Sequence, residues 1–176
     1  MGSCIVFDES GPKKTDYRRF NIRNIQAGDD YAAMAQLLDR RFTRLSEENG
    51  KMPDIILVDG GKGQLSQVKD TLKKFQLQGV YLLGIAKGVS RKPGQETIFM
   101  VSNSGIVEIP FSQSDGALHL LQQVRDEAHR FAIAGMRAKK SKDVKSYIAS
   151  VKNITGNIFA DEELLSLSLI HISEPT

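Results

Sequence analysis

Residues 54–63 read Asp-Ile-Ile-Leu-Val-Asp-Gly-Gly-Lys-Gly, and this stretch decides the fold class. Its apolar run at residues 55–58 has three β-branched members, which is typical of a strand buried on both faces of a sheet. Asp59 ends the strand, and two glycines and Lys62 then lead into a helical pattern. Functional groups of open α/β sheets collect at the carboxyl ends of strands. An Asp beside glycines, which let another backbone approach closely, and beside a lysine favours metal and phosphate chemistry.

The segments on either side of this strand alternate between strand and helix patterns. The predicted elements are, in chain order, a hairpin of residues 4–7 and 17–25, a helix capped by Asp29 and Asp30, the strand at 55–58, a helix over 62–75, a strand over 80–86, a hairpin of 98–101 and 106–109, and a long helix from Asp115. Strands that alternate with helices after an initial hairpin indicate a mixed α/β sheet.

Each predicted helix carries an apolar stripe that would face the sheet. The first stripe contains Tyr31, Met34, Leu37, Leu38, Phe42 and Leu45. The second contains Leu65, Val68, Leu72 and Phe75, and the third contains Leu118, Leu121, Val124, Ala128, Phe131 and Gly135. The sheet is therefore expected to be flanked by helices.

The composition of the chain is that of an ordinary globular protein. With 176 residues, 40% of them hydrophobic and 26% charged, it is long enough to bury a core. The net charge of +3 is weak support for an anionic partner. A single cysteine excludes an intrachain disulfide and cysteine-based metal clusters. No stretch approaches the roughly 18 consecutive apolar residues of a membrane helix, so we expect a soluble, cytoplasmic protein.

The end of the chain differs from the rest. Residues 137–145 hold five basic residues and one acid, and residues 146–176 show no clean hydrophobic period. The last ten residues, Leu-Ser-Leu-Ile-His-Ile-Ser-Glu-Pro-Thr, look like a translated sequencing adapter, although a genuine terminal peptide is the alternative. We therefore predict one domain over residues 1–145 and a tail over 146–176, with at least 167–176 non-native.

Asp59 and His129 are the leading candidates for chemistry. Asp59 is either a catalytic carboxylate or a helix cap, and the spacing alone does not choose between these. His129 lies at the edge of the third stripe and shares a helix face with Arg125, between the carboxylates of Asp126 and Glu127. That setting would tune a histidine for proton transfer or metal ligation, while a plain salt-bridged helix explains the same residues. Asp29 and Asp30 are either metal ligands or a pair of helix caps. Capping is the better explanation of Asp29, and for Asp30 both interpretations stay open.

Several cations are candidate phosphate contacts. Lys62 and Lys87 each lie beside a glycine at the end of a strand, and Arg18 lies on the predicted hairpin. The basic cluster of residues 137–145 is compatible with binding to a nucleic-acid backbone. A solvated surface is the competing interpretation of each.

These segments together closely resemble the nuclease domain of UvrC, the bacterial nucleotide excision repair endonuclease. The most specific are Asp-Gly-Gly-Lys-Gly-Gln-Leu at residues 59–65 and Arg-Asp-Glu-Ala-His at 125–129. Matching segments also lie at residues 3–7, 17–22, 28–34, 84–88 and 91–97, so the resemblance covers roughly residues 3–140 in the family's order and spacing.

The resemblance implies an RNase H-like fold and a divalent-metal nuclease that makes the 5′ incision beside a DNA lesion. The family's site is built from two aspartates and a histidine. By motif, Asp59 matches the second aspartate, His129 matches the histidine, and Asp30 matches another acidic position implicated in activity. Asp59 and His129 are expected to hold Mg²⁺ or Mn²⁺, which activates a water and neutralises charge on the phosphate. Arg18, Lys62 and Lys87 would position phosphates.

The resemblance also implies that the first strand of the fold is missing before Cys4. In the family that strand carries the first catalytic aspartate, within an Asp-Ile-Ser-His segment. We therefore expect this chain alone to be inactive or nearly so, and less stable than the full domain. The expected partners are damaged double-stranded DNA and, in the full-length protein, UvrB, whose binding segment lies upstream in the family together with the domain for the 3′ incision. The family's C-terminal helix-hairpin-helix module is also not found.

Two other functions compete with the nuclease. A catalytically silent DNA-binding remnant would keep the fold and the basic surface but perform no chemistry. A small-molecule phosphate enzyme would use Gly60-Gly61-Lys62 as a phosphate loop. The second alternative fails because the Gly-x-x-x-x-Gly-Lys-Ser/Thr spacing is absent.

Overall fold

The computed structural model describes residues 2–26, 28–88 and 95–155, with side chains described as far as residue 146. The expected non-native segment 167–176 lies outside the described residues. The chain divides into two compact units between Ile133 and Ala134. The predicted boundary at residue 145 therefore stays a prediction. No helix in the described ranges is long and apolar enough to span a membrane.

The described strands form three sheets. The strands are β1 (Gly2–Cys4), β2 (Phe7–Asp8), β3 (Gly11–Pro12), β4 (Arg18–Phe20), β5 (Ile55–Asp59), β6 (Tyr81–Ala86), β7 (Thr97–Ser102) and β8 (Gly105–Ile109). β1 pairs with β4 and β2 with β3, both antiparallel. The remaining four strands form one mixed sheet in the order β5-β6-β7-β8, in which only β5 and β6 are parallel. With the helices α1 (Asp30–Glu47), α2 (Lys62–Leu72) and α3 (Gly116–Thr155), this arrangement confirms the predicted mixed α/β sheet flanked by helices.

One face of the four-stranded sheet is covered by α1 and α2. The buried members of this core are Leu38, Phe42, Val58, Leu65, Val68 and Leu72. Short 3₁₀ geometry at Lys73–Phe75 ends α2 and brings the Phe75 ring to 5.8 Å from Phe42 of α1. The predicted stripe of α2 is confirmed in full, because its four members lie in or against this core. The stripe of α1 is wrong at Tyr31, which is 49% exposed.

The other face of the sheet is covered by the start of α3. Ile85 of β6, Ile98 of β7 and Leu118 of α3 are buried together, with Leu57, Phe111 and Leu121 against them. Asp115 begins the helix as predicted, since its carboxylate accepts a hydrogen bond from the Ala117 amide at 2.9 Å. Asp29 does the same for α1 through the Ala32 amide at 2.9 Å, which confirms the predicted cap.

The first hairpin is less regular than the sequence predicts. The segments around residues 4 and 18 do pair, but the extended stretch of 17–25 forms a strand only at Arg18–Phe20. Beyond it the backbone is tied to α1 by side chains instead of by a strand. The Gln36 amide accepts from the Arg23 N–H at 3.1 Å and donates to its carbonyl at 3.0 Å. Arg40 donates to the Asn21 carbonyl at 2.9 Å.

β5 is an edge strand among the described strands, and it departs from the predicted burial at its first residue. Ile56 and Val58 face α1 and α2, and Leu57 faces α3, so both faces are covered as predicted. Ile55, however, is 51% exposed. Its partner Tyr81 on the inner strand β6 points to the same face and is 60% exposed, so the start of both strands is left uncovered on the face that α3 covers at Ile85 and Ile98.

Candidate active site at the end of β5

Asp59 lies on the α3 side of the sheet. It is the last residue of β5, opposite Ile85 of β6. Side chains alternate along a strand, so Asp59 shares the face of Leu57, which contacts the core under α3. The Asp59 side chain is exposed and forms no hydrogen bond or ion pair with a described residue. It does not cap α2, so the capping interpretation of this residue is not supported.

The turn after Asp59 is held tightly against β6. The Gly60 amide donates to the Ile85 carbonyl at 3.0 Å, which continues the strand pairing one residue past the end of β5. At Gly84, a Cβ atom would lie 2.8 Å from the carbonyl oxygen of Gly60, closer than the two atoms can approach. Glycine at position 84 therefore lets the turn lie directly on β6, and this fixes the backbone from which Asp59 projects.

His129 lies on α3, three turns beyond the buried Leu118. Eleven residues bring a helix round to within about 20° of its starting direction and advance it by about 16 Å. His129 therefore projects in nearly the direction in which Leu118 meets the sheet. Unlike Leu118, which is 2% exposed, the imidazole is exposed and free of hydrogen bonds to described residues. The helix thus presents His129 on the same side of the sheet as Asp59, farther along α3 than the part that packs on the sheet through Leu118.

Asp30 is placed differently from the other two candidates. It is the first residue of α1, on the opposite side of the sheet from α3. The Tyr31 hydroxyl lies 3.1 Å from the position that a Cβ atom on Gly63 would occupy, so the starts of α1 and α2 are adjacent. Asp30 is therefore near the end of β5 at which Asp59 lies, but on the far side of the sheet.

The described residues contain no group of three or more His, Cys, Asp or Glu side chains placed to hold a metal ion. What they do offer is a carboxylate and an imidazole, both exposed and both without a protein partner. Carboxyl oxygens and imidazole nitrogens are donors that suit a divalent ion.

The charged residues around His129 are paired with one another and not with the imidazole. Arg125 donates to Glu96 at 2.8 Å and to Asp126 at 2.8 Å. Glu127 accepts two hydrogen bonds from Arg130, both at 2.6 Å. The structure therefore favours the salt-bridged helix over the alternative in which these groups tune the histidine.

Glu96 was not anticipated from the sequence. Its side chain is only 6% exposed and accepts hydrogen bonds from Arg125 and from Gln122 at 2.7 Å. Burial alone would raise the pKa of Glu96, but these hydrogen bonds outweigh it and hold the pKa below its ordinary value. The same contact with Glu96 is the main cause that raises the pKa of Arg125. This pair ties α3 to the segment before β7.

A second unanticipated cluster joins α3 to β4. The Tyr17 hydroxyl donates to Glu127 at 3.1 Å, and the Tyr17 ring meets Phe131 edge-on with centroids 5.0 Å apart. Burial is the main cause that raises the pKa of Tyr17, and Glu127 adds to it. Hydrogen bonds from Arg130 are the main cause that lowers the pKa of Glu127. The sequence carries one signal for this cluster: Tyr17 and Arg19 are two residues apart in an extended segment and therefore lie on one face of it.

The side chains predicted to contact phosphate differ in the contacts they already make within the protein. Arg18 uses one guanidinium nitrogen to donate to the carbonyls of Thr15 and Tyr17, at 2.7 and 2.8 Å. The Lys62 ammonium lies 5.4 Å from the centre of the Phe99 ring and is otherwise exposed, and Lys87 is exposed. In the second compact unit, the basic residues of 137–145 lie on exposed positions of α3.

Comparison with known proteins agrees with the resemblance. Residues 1–133 match the family model described as the UvrC RNase H endonuclease domain. UvrABC system protein C of Pseudomonas paraeruginosa is 56% identical over 142 residues, which are 81% of this chain and 23% of that protein. The protein of the same name from Saccharophagus degradans is 54% identical over the same shares. The chain thus spans less than a quarter of the length of the curated relatives it matches.

Proposed function

Because the chain belongs to the UvrC RNase H endonuclease domain family, we propose that it is part of the nuclease that makes the 5′ incision beside a DNA lesion in nucleotide excision repair. The observation that supports this most is the placement of the two family-matched residues. Asp59 and His129 come from distant parts of the chain, lie on one side of the sheet and are both free for a ligand.

In this proposal Asp59 and His129 hold a divalent ion, Mg²⁺ or Mn²⁺. When bound, the ion would supply an activated water and neutralise charge on the scissile phosphate. Asp59 would contribute carboxyl oxygens from the end of a strand whose turn lies directly against Gly84. His129 would contribute an imidazole nitrogen from a helix that is held by the Arg125–Glu96 and Tyr17–Glu127 contacts. Asp30 lies on the far side of the sheet, so we propose it as an acid at the rim of the site and not as a ligand.

The cations near the end of β5 are proposed to hold the DNA backbone. Lys62 and Lys87 follow the carboxyl ends of neighbouring parallel strands, so both reach the edge at which Asp59 lies. Arg18 keeps donors beyond those bound to backbone carbonyls. The proposed partners are damaged double-stranded DNA and, for the longer protein, UvrB, with a cytoplasmic location.

For this chain alone we propose little or no cleavage. Asp59 and His129 match two of the family's three ligands by motif, and the described residues contain no complete group of three. Among the described strands, β5 pairs only with β6, so its other edge could take a further strand. The same observation favours a second candidate function, a DNA-binding remnant without chemistry. Both functions predict binding to DNA, and only the first predicts that a strand bearing an aspartate restores activity.

A plasmid-nicking assay with Mn²⁺ separates the two candidates. It compares this chain, the chain extended by the family's Asp-Ile-Ser-His strand, and the extended chain carrying His129→Ala or His119→Ala. His119 is the matched control, since it also lies on α3 but its ring contacts the Gln113 carbonyl at 2.9 Å. We expect nicking only by the extended chains that keep His129.

Equal nicking by the unextended chain would overturn the argument from the incomplete ligand set. Folded extended protein that never nicks DNA would leave the binding remnant as the better account. Loss of nicking in His119→Ala to the same degree as in His129→Ala would show that the assay reports damage to α3 and not a role of one imidazole.

A further inference from the structure

We propose that Tyr17 and Arg19 are positioning residues, which hold α3 in the rotation that points His129 toward the side of the sheet where Asp59 lies. This inference rests on the proposed metal site and adds two residues to it that touch neither the ion nor DNA. They act through Glu127 and Phe131, which lie two residues before and two residues after His129.

The contact of Tyr17 is specific in both its polar and its apolar part. Its hydroxyl donates to Glu127, while its ring contacts the Phe131 ring edge-on. Tyr17 is 9% exposed, so the hydrogen bond is largely shielded from water. Arg130 donates twice to the same Glu127 carboxylate and thereby fixes the orientation of the acceptor.

Arg19 makes the second contact from the same face of the strand. Its guanidinium carbon lies 3.9 Å from the centre of the Phe131 ring. One of its nitrogens donates to the Phe131 carbonyl at 3.3 Å. A guanidinium stacked on a ring and bonded to the backbone of the same residue restrains both the side chain and the helix that carries it.

The geometry of a helix turns these contacts into control of His129. At about 100° per residue, Glu127 and Phe131 project on the side of α3 opposite to His129. Tyr17 and Arg19 therefore contact the side of α3 opposite to the imidazole, two residues before and two residues after it. Toward the start of α3, Arg125 is bonded to Glu96 four residues before His129, and Leu121 packs against the core eight residues before it, about 6 and 12 Å away along the helix axis. Without the contacts of Tyr17 and Arg19, the rotation of α3 at His129 would depend on the contacts of Arg125 and Leu121.

A similar pair of contacts elsewhere in the molecule can separate a positioning role from general stability. Arg40 of α1 also lies over a ring, at 5.4 Å from the centre of Phe20, and also donates to a backbone carbonyl. It joins α1 to β4 and does not touch α3. Arg40 therefore provides a matched control for Arg19.

The test uses the full chain labelled with ¹³C at histidine and titrated with Mn²⁺ alone. Mn²⁺ broadens the NMR signal of a nearby imidazole, and the His119 signal serves as the internal reference. In the unmodified chain we expect His129 to broaden first, and Asp59→Asn to abolish this. Tyr17→Phe keeps the ring but removes the hydroxyl, and Arg19→Leu removes the guanidinium. In each variant the Mn²⁺ concentration that halves the His129 signal should rise about tenfold. This is the lower end of the loss in metal affinity that follows removal of a group that orients a metal-binding histidine.

Arg40→Leu should lower the melting temperature as Arg19→Leu does, yet leave the broadening of His129 unchanged. Equal broadening in the unmodified chain, Tyr17→Phe and Arg19→Leu would overturn the positioning role while leaving the metal site intact. If the His129 signal also loses its broadening in Arg40→Leu, the contacts of Tyr17 and Arg19 contribute general stability and have no specific positioning role. If His129 does not broaden in the unmodified chain, or broadens despite Asp59→Asn, the metal site itself fails and this inference fails with it.

Discussion

The two faces of the four-stranded sheet are built from different interactions. The face under α1 and α2 buries a continuous apolar core, in which Leu65, Val68 and Leu72 of α2 are at most 3% exposed. Among the described residues, the face under α3 buries Ile85, Ile98 and Leu118 to that degree. Polar contacts from Glu96 and Tyr17 hold α3 between Gln122 and Glu127.

We interpret this difference as a division of roles, in which one face of the sheet contributes stability and the other carries the residues of the proposed chemistry. Apolar burial contributes free energy without regard to direction, so the α1/α2 face is suited to hold the sheet together. Polar contacts contribute less but fix the orientation of the groups they join. The α3 face therefore can leave Asp59 and His129 exposed and unpaired, at small cost to folding, while α3 itself stays in a defined position.

The largest effect should come from Leu65→Ala on the α1/α2 face. Leu65 is fully buried, so the change removes its contacts and leaves a cavity, at a cost of about 2–5 kcal/mol in the free energy of unfolding. Denaturant unfolding measures this. The matched control is Leu120→Ala on α3, since Leu120 is 52% exposed and should cost no more than about 0.5 kcal/mol. Similar losses for the two variants would contradict the contrast between the faces.

A smaller effect should follow from Glu96→Gln, which removes the charge bonded to Arg125. The expected cost at neutral pH is about 1.5–3 kcal/mol, since hydrogen bonds to a buried charge are lost. Glu108→Gln on β8 is the control, because Glu108 is exposed. Its unfolding free energy should stay within about 0.5 kcal/mol of the unmodified chain.

The cost of Glu96→Gln should also depend on pH. The pKa of Glu96 is lower in the folded chain than in the unfolded chain, in which a glutamate has a pKa of about 4.3. Its contribution is therefore complete above the unfolded pKa and declines as the pH falls toward the folded pKa. Unfolding measured at neutral pH and below pH ~4 should show the difference between Glu96→Gln and the unmodified chain shrinking in acid. A difference that stays constant or grows in acid would contradict this account of Glu96.

The sequence predicted the parts of the fold that depend on local patterns. The stripe of α2, the cap at Asp29, the start of the long helix at Asp115, and the hairpin of β7 and β8 each depend on residues close together in the chain. The exposure of Ile55 was not predicted, because it depends on how far α3 covers the sheet, and no local pattern records that.

The candidate site was predictable only in part. The motif resemblance picked out Asp59 and His129, whose roles stay predictions, and the structure adds that both lie free on one side of the sheet. The contacts that hold α3 were missed, because they join residues far apart in the chain. Tyr17 and Glu127 are separated by 110 positions, and Glu96 and Arg125 by 29. Charge pairs of this kind cannot be assigned from spacing along one helix.

The smallest effect on folding, and the most direct test, concerns Asp59 and His129 themselves. The measurement is Mn²⁺ affinity and the free energy of unfolding, determined on the same sample of the Asp59→Asn, His129→Ala double variant and of the unmodified chain. We predict that Mn²⁺ binding is lost while the free energy of unfolding changes by no more than about 0.5 kcal/mol per substitution, because both side chains are exposed and unpaired. Mn²⁺ binding that survives in the double variant, or a loss of stability as large as that of Leu65→Ala, would contradict the division of the molecule into a stabilising face and a functional one.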